Sequence, residues 1–142
     1  FMHSFQKEIL LNQFENLKEK QLMRTQKSEI YFKELKEIKH LNFPQDKFDE
    51  QNIFLEFPIV CSTKNIKKDL FKYLMDKKVD VKNYYYKNCS EEKIYNSHSH
   101  PCTNSEDISE NILMLPVHEK IFQNYQYKII NEIKIFFESY YQ

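Results

Sequence analysis

Glycine, alanine and tryptophan are absent from the 142 residues of this chain, and Arg24 is its only arginine. The missing glycine excludes the most. Glycine lets a backbone approach a phosphate closely and take positive φ. The Walker loop and the Rossmann fingerprint both need it, so nucleotide binding through either loop is ruled out. Turns have to be made by Asn, Asp, Ser and the four prolines. A net charge of either sign is also lacking: Lys and Arg total 21, as do Asp and Glu. Nucleic-acid affinity rests largely on clustered bases that neutralise phosphates. Here lysines alternate with acids, as in Lys33-Glu34-Leu35-Lys36-Glu37. That interleaving predicts solvated helix faces and no nucleic-acid partner.

Long apolar runs are missing as well. Residues 112–117 form one of the longest, far below the roughly 20 needed to span a bilayer, so no membrane association is expected. Phe1-Met2-His3-Ser4-Phe5 lacks the basic stretch and apolar block of a signal peptide. Three cysteines (Cys61, Cys89 and Cys102) are too few and too irregularly spaced for a disulfide scaffold. Reduced thiols in a cytoplasm fit this usage better.

What is present is enough for a core. Hydrophobic residues make up 41% of the chain and aromatics 15%, which predicts a single domain over residues 1–142 filled by Phe and Tyr. The first 40 residues read as a long helix, with Phe5, Ile9, Phe14 and Leu17 on one stripe and Ile30, Leu35 and Ile38 continuing it. The polar stretch 18–29 marks the place for a bend or break, and Pro44 ends the helix. Phe54-Leu55-Glu56-Phe57-Pro58-Ile59-Val60 reads as a strand, with Pro58 suggesting an edge or a bulge. Thr63 or Asn65 caps a helix carrying Ile66, Leu70 and Leu74 at i, i+4 and i+8. Alternation over residues 79–86 predicts a second strand. An irregular excursion over 88–103 follows, with a helical turn near 91–95. Ser105-Glu106-Asp107 opens a helix whose buried face is marked by Ile108 and Ile112. Leu113-Met114-Leu115 before Pro116 predicts a third strand. A last helix starts near Asn124 and presents Ile129, Ile133, Phe136 or Phe137, and Tyr140. The sum is an α+β domain: a small, mostly antiparallel sheet of about three strands, packed with a long N-terminal helix, two middle helices and a C-terminal helix.

Two constellations invite chemistry. His98-Ser99-His100-Pro101-Cys102 suggests a metal, with His118, Cys89 and Cys61 as further donors. Zinc wants four N or S ligands in a tetrahedron, and this spacing matches no strong zinc pattern. His98, His100 and Cys102 therefore read as loop, and no metal is assigned. A Cys–His nucleophile from the same residues lacks an orienting acid. Tyr84-Tyr85-Tyr86 is either a strand rich in aromatics or a surface on which a sugar or base stacks.

A resemblance runs through the chain. In the segment from Met2 to Phe14, the residues Met2, Gln6, Ile9, Leu11 and Gln13 are in register with a stretch of the DegT/DnrJ/EryC1/StrS aminotransferases. Arg24 resembles an arginine that follows there, and Tyr31 an aromatic near the helix end. Phe57-Pro58-Ile59-Val60 resembles that family's strand. Residues 66–78 resemble its helix ending in Lys-Gly-Ile, with Val79 at the Ile. Tyr84 to Tyr86 stand where it has a His-Tyr pair. Cys102, Glu106, Ser109, Glu110, Leu115, Pro116 and His118 match the block ending in Leu-Pro-Met-His. The departures are Phe1 for an arginine, Lys7 and Glu8 for an Ala pair, Leu10 for a glycine, and Lys87-Asn88-Cys89-Ser90 for Pro-Leu-His.

The resemblance implies the small C-terminal domain of a pyridoxal-phosphate (PLP) enzyme that moves an amino group from an amino acid onto a nucleotide-linked keto-sugar. Such products feed lipopolysaccharide and other surface polysaccharides. Transamination needs a lysine that forms an imine with the cofactor, donors for its phosphate, and an acid for its pyridine nitrogen. In the family these lie in a large domain that this chain does not contain, so no catalytic or cofactor-binding residue is expected and PLP is not bound by this chain alone. Asn83, Tyr84 and Tyr85 are the candidates for facing the substrate. The expected partner is the large domain or a second subunit, with nucleotide-sugar binding only in its company and homodimers as in the family. The alternative is a stand-alone, non-catalytic binding or interaction module descended from that domain.

Overall fold

The computed structural model describes residues 3–43, 52–83, 92, 94 and 102–140. In chain order the elements are α1 (Ser4–Glu15), α2 (Leu17–Leu35), β1 (Leu41–Asn42), β2 (Glu56–Cys61), α3 (Lys64–Asp76), α4 (Thr103–Asn111), β3 (Ile112–Pro116) and α5 (Gln123–Tyr140). The three strands form one antiparallel sheet in the order β1-β2-β3. The fold is the α+β arrangement expected. Among the described residues, no helix is long and apolar enough to cross a membrane.

The core lies on one face of the sheet. Alternation along β2 buries Phe57, Ile59 and Cys61, and the register sets Phe57 opposite Leu115 and Ile59 opposite Leu113. Against this face pack Ile66, Leu70 and Leu74 of α3, Tyr31 and Leu35 of α2, and Ile129, Ile130, Ile133, Phe136 and Phe137 of α5. The α3 stripe starts where Thr63 Oγ1 accepts the Ile66 N–H at 3.3 Å. Tyr31 stacks on Phe57 with ring centroids 5.6 Å apart. Full burial of a side chain such as Leu70 stabilises the fold by about 1.5–3 kcal/mol.

Pro58 sits in the central strand, not at an edge, and geometry removes the penalty. Pro58 is paired with Met114, whose own N–H and C=O bond to Lys82 on the far side of β3. The Pro58–Met114 pair is thus a non-hydrogen-bonded one, and the proline nitrogen points toward the β1 side. Among the described residues β1 pairs only with Val60 and Cys61, so no ladder bond between the described strands is lost at Pro58.

Four further expectations change. The N-terminal helix breaks at Asn16 (φ −96°, ψ 3°), while the polar stretch 18–29 is continuous helix within α2. The proposed stripe of Phe5, Ile9, Phe14 and Leu17 is not buried: α1 has no buried residue. Of the described residues 79–83, only Lys82 joins the sheet, by an isolated bridge to Met114; 84–86 of the expected strand lie outside the described residues. In α4, Asn111 is buried and Ile108 is exposed, because Ile112 already belongs to β3.

Candidate functional site

The Leu115-Pro116-Val117-His118 block is where distant parts of the chain converge. β3 ends at Pro116, and the chain turns toward α5. Three successive turns of α2 grip that turn. Tyr31 Oη donates to the Pro116 carbonyl at 3.2 Å from a fully buried position. Lys27 Nζ donates to the carbonyls of His118 at 2.8 Å and Glu119 at 3.1 Å. Arg24 Nη2 lies 3.6 Å from Glu119 Oε2. From α5, Gln126 Nε2 donates to the Lys27 carbonyl at 2.7 Å, which explains a glutamine buried in an otherwise apolar stripe. Spacing at 24, 27 and 31 puts all three donors on one face of α2.

The electrostatics follow from these contacts. Burial raises the Tyr31 phenol well above its ordinary range. The Glu119 carboxyl is lowered, first by a hydrogen bond from its own backbone N–H and then by the Arg24 and Lys20 charges. Lys27 is lowered by burial, against the pull of Glu119. The chemistry of this cluster is structural: it welds α2 to the segment that joins β3 and α5.

The sequence-derived site residues fare unequally. Asn83 is exposed, one residue past the Lys82–Met114 bridge, and Lys82 is ion-paired with Glu56, a bond that raises the lysine pKa. Tyr84 and Tyr85 lie outside the described residues, as do His98, His100 and Cys89. Cys102 is an exposed free thiol just before α4. Cys61 is a buried free thiol, and burial pushes its pKa up to about 12. His118 is exposed at the α2-held turn. Among the described residues, no group of three His, Cys, Asp or Glu is arranged to hold a metal. Sequence reasoning missed β1, Lys27, Gln126 and the Arg24–Glu119 pair. One signal was available: a chain with a single arginine keeps it where a planar guanidinium can reach a carboxylate.

Among the described residues, the lysines and the one cavity do not assemble a site that fits PLP. Three described lysines are held in ion pairs: Lys134 with Glu34 at 2.6 Å, Lys64 with Glu110 at 2.9 Å, Lys77 with Glu132 at 3.7 Å. One departure from a uniformly solvated set is Lys67, buried beside Cys61 with its pKa lowered by that burial. Around it stand Lys64, which lowers its pKa further, and Glu110, which raises it. A cavity of about 360 Å³ opens between the end of α2 and α5, lined by Glu37, Lys39, His40, Lys134, Phe137 and Glu138. Two of those are carboxylates that would repel a phosphate, and its Lys134 is already paired.

Comparison with known proteins agrees with this architecture. The family model for the DegT/DnrJ/EryC1/StrS aminotransferase family matches residues 2–134. No curated protein sequence matches significantly. Solved structures with the same fold include a DegT DnrJ EryC1 StrS aminotransferase from Brucella abortus, at 22% identity and TM-score 0.79, over 92% of this chain and 35% of that one. DesV from S. venezuelae, solved with a ketimine intermediate, gives 15% identity and TM-score 0.78 over 94% of this chain and 36% of its own. Helicobacter pylori PseC, an aminotransferase involved in the biosynthesis of pseudoaminic acid, gives 18% and 0.73 over 91% and 36%.

An α+β unit of this topology, held by an α2 grip on a Leu-Pro-x-His turn, is thus one part of an aminotransferase fold. The chain belongs to the DegT/DnrJ/EryC1/StrS aminotransferase family, a PLP-dependent one, and spans little more than a third of the length of these solved relatives.

Proposed function

We propose that this chain serves as the C-terminal domain of a PLP-dependent aminotransferase acting on nucleotide-linked keto-sugars, and that it is not catalytic alone. One observation carries the reading: the family match runs over residues 2–134, yet the described residues supply no fitting cofactor site. The large domain, in the same polypeptide or as a separate subunit, would hold the cofactor. The names of two relatives, a sugar aminotransferase from Micromonospora echinospora and PseC, support an amino-sugar product. In this reading Asn83, Tyr84 and Tyr85 border the substrate cleft, and Asn83 has the exposure that role requires. The free thiols Cys61 and Cys102 support a cytoplasmic location.

The test is reconstitution. The chain is joined to the large domain encoded with it and supplied with PLP, glutamate and a panel of nucleotide-linked keto-sugars. The reading expects an aminated sugar nucleotide from the joined protein and none from the chain alone. A joined protein that binds PLP but aminates none of the panel would contradict the substrate class. An isolated chain that transaminates would contradict the domain assignment.

A further inference from the structure

We infer that the start of α3 is a binding site for a phosphate-type oxyanion, with the Lys67 amine, the backbone N–H groups of Lys64 and Asn65 and the Thr63 hydroxyl as its donors. α3 runs for 13 residues from Lys64 and is capped by Thr63. Thr63 Oγ1 accepts the Ile66 N–H at 3.3 Å, and the Thr63 carbonyl accepts the Lys67 N–H at 3.1 Å. The amides of Lys64 and Asn65 come too early in the helix for an intrahelical partner. The Thr63 hydroxyl still has its own proton to donate. These groups stand at the positive end of the helix dipole, where anions are held. Thr63, Lys64 and Asn65 are exposed, so an ion from solvent can reach them.

Lys67 sets this end apart from an ordinary helix start. It is only 7% exposed, yet among the described residues no hydrogen bond or ion pair holds its amine. A buried charge without a partner is unfavourable. Side chains lean toward the N-terminus of a helix, so Lys67 reaches back over the first turn. Its charge interacts with Cys61, two residues before the cap, and with Lys64 at the first helical position. The amine is therefore at the capped end. The usual charge pattern is also reversed there. The first turn of α3 holds no acid, and Lys64, Lys67 and Lys68 crowd the positive end of the dipole. A bound anion offsets both the burial of Lys67 and the repulsion among these lysines.

Glu110 of α4 is the acid that interacts with both Lys64 and Lys67. It pairs with Lys64 at 2.9 Å, on the solvent side, with the two side chains more than half exposed. It competes for the lysine charge but takes neither free amide. Two amides, a hydroxyl and an amine suit an ion with several oxygens better than a halide.

Phosphate titration of the full chain at constant ionic strength, followed by amide NMR, tests this. The Lys64 and Asn65 resonances should move saturably with phosphate and stay still with chloride. Lys67→Met keeps the length of the stem and should weaken binding by about tenfold or more. Lys68→Met, at an exposed position, should change it by less than about threefold. Glu110→Gln frees Lys64 and should tighten binding. Phenyl phosphate separates the two sources of such an anion: tighter binding than inorganic phosphate names a phosphorylated ligand, and weaker binding names the free ion. Lys67→Met should keep at least the urea midpoint of the parent. If it unfolds instead, the titration of the parent and of Glu110→Gln decides. Shifts scattered over surface lysines without saturation would overturn the inference. So would equal losses in Lys67→Met and Lys68→Met, or a Glu110→Gln chain that binds no more tightly than the parent.

Discussion

Lys78 is the clearest place where the lack of glycine strains the fold. It stands just past α3 with φ of 59°, in the left-handed region that favours glycine. The end of the helix explains why it must. Lys78 N–H donates to the Met75 carbonyl and Val79 N–H to the Leu74 carbonyl, both at 2.9 Å, which is a Schellman closure with buried Val79 as its hydrophobic contact. Every residue with a Cβ pays about 1–2 kcal/mol for the left-handed conformation. Lys78→Gly removes that term but widens the unfolded ensemble, which returns about 0.4–1 kcal/mol. The net expectation is a stabilisation of about 0.5–1 kcal/mol, or roughly 2–4 °C in melting temperature for a domain near this size. Lys78→Ala keeps the Cβ and should change stability by less than about 0.5 kcal/mol. Urea denaturation followed by circular dichroism measures both midpoints. A glycine variant no more stable than the alanine one would refute the strain argument.

Other predictions bear on the turn and the thiols. Tyr31→Phe deletes the hydroxyl bonded to the Pro116 carbonyl and leaves a buried acceptor unpaired, so urea unfolding should show a loss of about 1–3 kcal/mol. The Glu119 carboxyl is lowered from its ordinary 4.5 in the folded chain, so its contribution is complete above that pH and fades as pH falls through the lower folded value. Glu119→Gln should therefore flatten part of the stability loss below pH 4.5, and parallel slopes for parent and variant would contradict this. The Cys61 thiol is held protonated up to about pH 12 while its unfolded counterpart ionises near 9, so it favours folding less and less across that alkaline window. Thiol labelling mapped by mass spectrometry at pH 8 should modify Cys102 promptly and Cys61 only under denaturant.

Much of the fold is visible in the sequence where one physical rule dominates. Ile66, Leu70 and Leu74 stand at helical spacing because α3 lies flat on a sheet and needs one apolar stripe, and that is where they are buried. The strand around Phe57 and Ile59 and the short one at Leu113 and Leu115 alternate or run apolar because only one sheet face is covered. The helix joint was less legible. Polarity over 18–29 reflects solvent on that side of α2, and solvent does not break a helix. The break at Asn16 has no hydrophobic signature. β1 is two residues long, too short for any periodicity. The α2 grip on the Leu-Pro-x-His turn was hidden because its bonds join residues 85 to 92 positions apart. The family pattern drew attention to Arg24, Tyr31 and Pro116 one by one, but not to the fact that they meet.

The most direct measurement is a titration of the purified chain with pyridoxal phosphate, followed by borohydride reduction and peptide mapping. The account predicts weak, unsaturable labelling spread over surface lysines, with the buried Lys67 untouched. A saturable imine trapped at one lysine, and displaced by an amino donor, would contradict it.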